Sequence, residues 1–335
     1  MKQKREYIKN IDYFKEKFNK LNNKIESLLD IENNKIFIDY ILKNKEKVPI
    51  DTSNFKFNTF FVDGSMSKIG ESFPNFFYIF RSLSYSPNLD IKIFIYDLFS
   101  PLIDEDRLLF EEKLLYLQNK KNQNEIDLNI FDINYVEEYL RYILMAKLEI
   151  EAAKESINYL NKGDMLFMDG SLNHFKGEVP QEFNSLLKIC YEKEVLICGV
   201  VEDIGSMVIS NIVKENGNTM KPHDKELLIG NLNEGEMIHI KEPFRKEGFS
   251  ITFLRISSDP TPISFEIPVK WEDKYKEVAQ FLMFITEKYG RGVPIFRDFA
   301  HEDVKLTDKE SYLISKNFIK NEYLEKLFKL KRWLR

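Results

Sequence analysis

No stretch of this 335-residue sequence stays apolar for long enough to cross a membrane. Runs such as Ile91 to Tyr96 and Val195 to Val201 fall far short of the roughly 20 residues that a spanning helix needs, and Met1 opens a Lys-rich polar segment without the apolar core of a signal peptide. The expectation is a cytoplasmic protein without membrane contact. Cysteine is equally scarce: Cys190 and Cys198 lie in apolar settings without CxxC or Cys/His ligand spacing. That pattern suggests neither a disulfide framework nor a zinc site, and both read as core residues. An excess of positive charge is missing too, since 49 Lys and Arg stand against 54 Asp and Glu, for a net charge of -5. A protein that holds DNA by bulk electrostatics is thereby disfavoured. A metal-dependent enzyme is not, because it needs an acidic pocket and can confine positive charge to a groove or take it from a partner. A P-loop is absent, no strand ends in the paired DxD nucleophile of other phosphohydrolases, and no solenoid repeat is present.

What is present, 43% hydrophobic and 31% charged residues, is the composition of a folded protein with one large domain or two ordinary ones. Residues Arg5 to Lys45 carry Ile8, Ile11, Phe14, Phe18, Leu21, Ile25 and Leu28 at helical spacing, which predicts a helical arm over 1–48. After the break at Pro49 the texture becomes aromatic and β-branched over Phe55 to Val62, Asn75 to Ser82 and Leu89 to Asp97, three strands of an antiparallel meander. Helical period returns at Asp104 to Leu117 and Tyr135 to Leu160. It is followed by a strand at Met165 to Met168, a helix near Gln181 to Glu192 and a strand at Val195 to Val201, which is β-α-β traffic on one side of the meander. Residues 214–248 are polar and glycine-broken and read as an insertion or long loops. Strands resume at Phe249 to Ile256 and Ile263 to Val269, and the end is helical with a basic tail, Lys326 to Arg335. The fold class is α/β, a mixed sheet flanked by helices, with 49–335 as its main unit.

Two near-copies stand out, Phe61-Val62-Asp63-Gly64-Ser65 and Phe167-Met168-Asp169-Gly170-Ser171. Each sets an Asp at what reads as the C-terminal end of an apolar strand, the edge where α/β sheets bind ligands. Either Asp-Gly alone is most often a turn. If the two strands are neighbours, however, both acids come within reach of one hard divalent cation such as Mg2+ or Mn2+. A third acid comes from the helix before Asp169, where Glu149, Glu151 and Glu155 compete with a purely solvated role for all three. Against the stripe of Tyr139, Ile143, Ala146, Ile150, Ala153 and Ile157, Glu149 lies roughly 65° from the centre and Glu151 roughly 135°, which makes Glu149 the better candidate. His301, after the Gly292-Val293-Pro294 break, is expected near the start of a helix, where it can ligate a metal or shuttle a proton; a lone histidine is more often structural.

A strand ending in Asp63-Gly-Ser, the helical Leu148-Glu149, a second strand ending in Asp169-Gly-Ser-Leu172 and the late Pro294…Ala300-His301 together resemble the NurA nucleases, over about Asn54 to Lys305. The resemblance implies an RNase H-like fold and Mn2+-dependent DNA cleavage, with single-strand endonuclease and 5′ to 3′ exonuclease activities used on DNA ends. It further implies Asp63, Glu149 and Asp169 as metal ligands completed by His301, a homodimer, and a HerA-like hexameric ATPase as partner. Two positions depart from the family pattern. Val293 stands where a tyrosine is common, and Glu202-Asp203 replaces a Lys-Asp pair, exchanging a potential phosphate-binding cation for an anion. The alternative is a NurA-like scaffold with little or no activity that docks on a ring ATPase.

Overall fold

The computed structural model describes residues 11–29, 31–49, 55–124, 131–213, 222–240 and 248–328. Helices α1 (Ile11–Leu29) and α2 (Ile31–Asn44) come first among the described residues. Side chains of α1 from Tyr13 to Glu26 are exposed, whereas α2 sinks Phe37 and Ile41 into a cluster with Leu228, Ile238 and Phe253. A two-residue strand β1 (Glu46–Lys47) precedes the antiparallel meander of β2 (Thr59–Ser72), β3 (Asn75–Ser86) and β4 (Ile91–Phe99). Helices α3 (Asp104–Asn124) and α4 (Phe131–Ile157) lead to β5 (Met165–Asp169), α5 (Leu172–Glu178), α6 (Pro180–Lys193) and β6 (Leu196–Val201). Pro180 opens α6, where its missing N–H would have no helical acceptor anyway.

Short helices α7 (Val208–Ile212) and α8 (Asp224–Leu228) are followed by antiparallel β7 (Glu236–Ile240), β8 (Phe249–Leu254) and β9 (Ile263–Pro268). A 3-10 turn then leads to α9 (Tyr275–Phe284), α10 (Ile295–Val304), α11 (Asp308–Phe318) and α12 (Asn321–Leu327). Nine strands among the described residues form one sheet in the order β1-β7-β8-β9-β6-β5-β2-β3-β4. β5 runs parallel to β2 and β6 parallel to β5, so the meander is extended by parallel strands. This is the mixed, RNase H-like α/β arrangement.

The central strands are buried on both faces, which is why they read as unbroken apolar runs. Phe60, Val62, Leu166, Met168 and Ile197 face one cluster, and Phe61, Phe167, Cys198 and Val200 face the other. Cys190 and Cys198 are both fully buried. The α4 stripe of Ile143, Ala146, Ile150, Ala153 and Ile157 packs in the first cluster. A second side of α4, with Val136, Leu140, Met145 and Leu148, packs against Phe76, Tyr78 and Phe80 of β3. Burying each of the larger of these side chains contributes roughly 1.5–3 kcal/mol, so two apolar contacts fix the rotation of α4 about its axis. The charged groups of the helix take whatever direction that rotation leaves them.

Two features differ from the sequence expectation. Within 214–248 the segment Glu236–Ile240 is strand β7, paired with β1 and β8; its short alternating run was masked by polar and glycine neighbours. The first Asp-Gly-Ser does not end a strand, because β2 continues to Ser72 with Gly64 paired to Ser82 of β3. Of the basic tail, residues 329–335 lie outside the described residues, while Phe328 within it and Leu324 just before it are buried in a cluster with Ile69 and Phe77.

Candidate active site

Parallel pairing of β2 with β5 ends at Val62 beside Met168, so Asp63 and Asp169 occupy the next position on neighbouring strands. Alternation along each strand sends both side chains to the face of Phe61 and Phe167, the face covered by α9 and α10. Asp63 is buried, at 4% exposure, and its Oδ1 accepts a hydrogen bond from the Gly64 amide at 2.7 Å. β5 stops at Asp169, and Gly170 takes φ +98°, a left-handed conformation that turns the chain away from the acid. Burial and the neighbouring Asp63 charge push the Asp169 carboxyl up from 3.8 to about 6, while the guanidinium of Arg297 opposes the rise.

Glu149 arrives from the opposite face. A Cβ built at Gly64 would stand 2.4 Å from Glu149 Oε1 and 2.4 Å from Met145 Cε, so the carboxyl lies over the bare backbone of β2. Only glycine permits that approach. Burial, then the charges of Asp63 and Asp169, push the Glu149 carboxyl well above the usual range. Glu151 and Glu155 are exposed. The packing of α4 thus carries Glu149, and neither competitor, to the two strand acids.

Helix α10 closes the other face. His301 lies in its last turn rather than near its start. Its Nδ1 is 2.9 Å from Asp63 Oδ2. Because an ionised carboxylate only accepts, this nitrogen is the donor. The bond to Asp63 raises the imidazole pKa above 6.5. One turn earlier, Arg297 donates from Nε to Asp169 Oδ1 at 2.8 Å and from Nη2 to Oδ2 at 3.1 Å. Its Nη1 reaches Glu202 Oε2 at 2.6 Å, and Glu202 Oε1 in turn accepts from Arg291 Nη1 at 2.7 Å.

Sequence reasoning missed Arg297. The signal was there: residues four apart on a helix share a face, so an arginine four before His301 faces the same acids. Glu266 was missed as well. It is buried at 3% exposure, and its carboxylate accepts from Ser171 Oγ and from the Asn173 amide, which ties down the turn after Asp169. Val293 is buried just ahead of α10, and the exposed His174 is not engaged with the acids.

In these rotamers no three His, Cys, Asp or Glu side chains among the described residues are gathered to hold a metal ion. Asp169 is turned to Arg297, Asp63 to His301 and Gly64, and Glu149 enters from the other face. The chemistry of the donor set nevertheless fits a hard divalent cation. Carboxylates from two strands and a helix lie within electrostatic reach of one another; Asp169 and Glu149 are raised first by burial and then by the neighbouring carboxylate charges, and a bound cation relieves the second of these.

The chain has the fold of the crystal structure of the NurA nuclease from Sulfolobus solfataricus, with TM-score 0.60 and 15% identity, covering 96% of this chain and 99% of that one. A NurA structure bound to dAMP and manganese aligns with TM-score 0.54 and 10% identity, covering 95% of this chain and 99% of that one. A NurA structure with manganese aligns with TM-score 0.54 and 9% identity, covering 93% and 99%. No curated protein matches the chain. Identities this low carry the fold alone, but the family model of the NurA domain matches residues 57–306, most of the sequence and every residue of the acidic cluster. The chain therefore belongs to the NurA family.

Proposed function

We propose that this chain is a metal-dependent deoxyribonuclease in which Asp63, Glu149 and Asp169 hold the ion and His301 completes the site. The observation that carries the reading is the placement of Asp63 and Asp169 at adjacent positions where the parallel pair ends, with the Glu149 carboxyl within electrostatic reach of both. Mn2+ is the ion of choice and Mg2+ the second, a preference supported by the manganese held in two NurA structures. When bound, a divalent ion supplies charge neutralisation for the phosphodiester and activation of the attacking water.

The chain's own groups do the rest. Asp63 keeps the His301 ring oriented through Nδ1 and favours its protonated form. The side chain is half exposed, which suits the ring to deliver a proton to the departing sugar oxygen. Asp63 within β2, Asp169 at the end of β5 and Glu149 on the packed α4 are held by backbone and by helix packing, which keeps them fixed while substrate arrives.

The family resemblance supports single-strand endonuclease and 5′ to 3′ exonuclease action on DNA ends, in repair or defence. It also supports a cytoplasmic homodimer working with a HerA-like hexameric ATPase; a net charge of -5 makes such a partner useful for feeding DNA to the site. Residues 49–335 form the nuclease unit, to which α2 and β1 of the 1–48 segment are joined by packing and strand pairing. Cleavage of single-stranded and duplex DNA with Mn2+ or Mg2+, abolished by EDTA, is the expected result. One observation favours the second reading of a weakly active scaffold, namely that Asp169 is already satisfied by Arg297. Absence of cleavage under every metal condition, with retained binding to the ATPase, would select it.

A further inference from the structure

Arg297 has an unusual position for a surface-helix arginine. Its side chain is only 13% exposed, and its guanidinium is clamped between carboxylates at the ends of two parallel strands, Asp169 as the last residue of β5 and Glu202 just after β6. Both Asp169 oxygens are engaged in a two-pronged bond, the geometry in which a guanidinium binds a carboxylate most strongly. Glu202 does not neutralise this arginine by chance contact. It is itself anchored by Arg291, which is also paired with Asp298 of α10. The ladder Arg291, Glu202, Arg297, Asp169 therefore fixes where the guanidinium sits, directly on one of the acids that the nuclease reading assigns to the ion.

We propose that Arg297 is a built-in counter-cation: it occupies the Asp169 carboxylate while the site is metal-free, and a divalent ion must displace it. The proposal rests on the reading of Asp63, Glu149 and Asp169 as the ion's ligands. The physical ground is that several carboxylates crowded at a largely buried sheet end repel one another, and removing one partner of such a pair leaves an uncompensated charge. With Arg297 in place the metal-free protein is folded and quiet. The same bond also lowers affinity for the ion, because Asp169 must give up two charge-assisted hydrogen bonds to become a ligand. Ion binding is thereby tied to release of a guanidinium beside the place where a phosphodiester would lie.

The test is Mn2+ binding to the full chain, read from the EPR signal of the free ion, together with thermal melts in EDTA, for wild type, Arg297→Gln, Arg297→Lys and Asp169→Asn. Competition predicts that Arg297→Gln tightens Mn2+ binding by about tenfold or more, corresponding to 1.4 kcal/mol per decade, and lowers the metal-free melting temperature. Arg297→Lys keeps the charge but loses the two-pronged bond, so it should tighten binding as well. Tightening in Arg297→Gln alone would assign the effect to net charge and overturn the proposal. Weaker binding in both would make Arg297 an orienting partner for Asp169, which also overturns it. If Arg297→Gln does not fold, Arg297→Lys decides by the same signs. A wild type that shows no Mn2+ binding sensitive to Asp169→Asn would overturn the metal reading itself, an outcome distinct from a wild type that binds while the arginine variants bind no tighter.

Discussion

Gly64→Ala isolates the contact that brings Glu149 into the acidic cluster. The new Cβ would stand 2.4 Å from Glu149 Oε1 and 2.4 Å from Met145 Cε, against the ~3.5 Å of an ordinary contact, so each group must retreat by about 1 Å. The Met145 thioether can re-rotate. The Glu149 carboxylate can do so only by leaving the strand acids. Because the crowded atoms are the ends of flexible side chains, the change costs little stability, whereas a 1 Å displacement of a reacting group costs about 100-fold in rate. The assay is metal-stimulated cleavage of a short single strand by Gly64→Ala, Glu149→Gln and the double variant. Loss through Glu149 predicts that the double variant is no slower than Glu149→Gln alone, because both changes remove the same interaction. Multiplicative losses, or a Gly64→Ala enzyme at the wild-type rate, would refute the assignment.

Other outcomes follow from the same geometry. Asp63→Asn and Asp169→Asn each keep the side-chain volume but remove an anionic ligand, so metal-stimulated cleavage should fall by at least about 100-fold, the upper end of losses seen for mere supporting partners of a ligand, with the cooperative melt retained. Glu149→Gln should be severely impaired and Glu151→Gln should cleave at nearly the wild-type rate, since only the former approaches β2; the reverse order in purified variants would show that α4 is rotated. For metal-free protein, Asp169 holds its proton to about pH 6 in the folded state against 3.8 as its ordinary value, so the folded state binds more protons between about pH 4 and 6. Stability should fall as pH rises through that window, by up to about 3 kcal/mol from this group, and Glu149 and His301, both also raised, extend the fall to higher pH. Urea melts in EDTA should show this slope, Asp169→Asn should flatten it between about pH 4 and 6, and saturating Mn2+ should reverse the loss near neutral pH. An unchanged slope in Asp169→Asn would place the raised carboxyl elsewhere.

Much of the fold is legible because the central strands are buried on both faces and flanked by helices of regular period. Ile143 to Ile157 on α4 illustrates this: the stripe read from the sequence is the one that packs against β2 and β5. Elements that depend on a distant partner are not legible. Strand β7 has five residues, too few for a periodic signal, and exists because β1 and β8 hold its two edges. The first Asp-Gly-Ser shows the same limit differently. Asp-Gly is a turn signal along the chain, yet β3 pairs across it and keeps β2 extended through Gly64 and Ser65. The use of Gly64 is to admit a carboxyl from α4.

Charge shows the limit of a linear reading most clearly. Taken along the chain, Glu202 is an anion where a cation would suit a phosphate, and Arg297 is one basic residue in an acidic helix. In space Glu202 gathers Arg291 and Arg297, and Arg297 stands on Asp169, so the site's positive charge lies on α10 and the loop before it. A residue-by-residue comparison counts the change at Glu202 as a lost cation. At the scale that electrostatics acts on, a few ångströms around Asp169, the cation is present and held by the very residue that seemed to remove it.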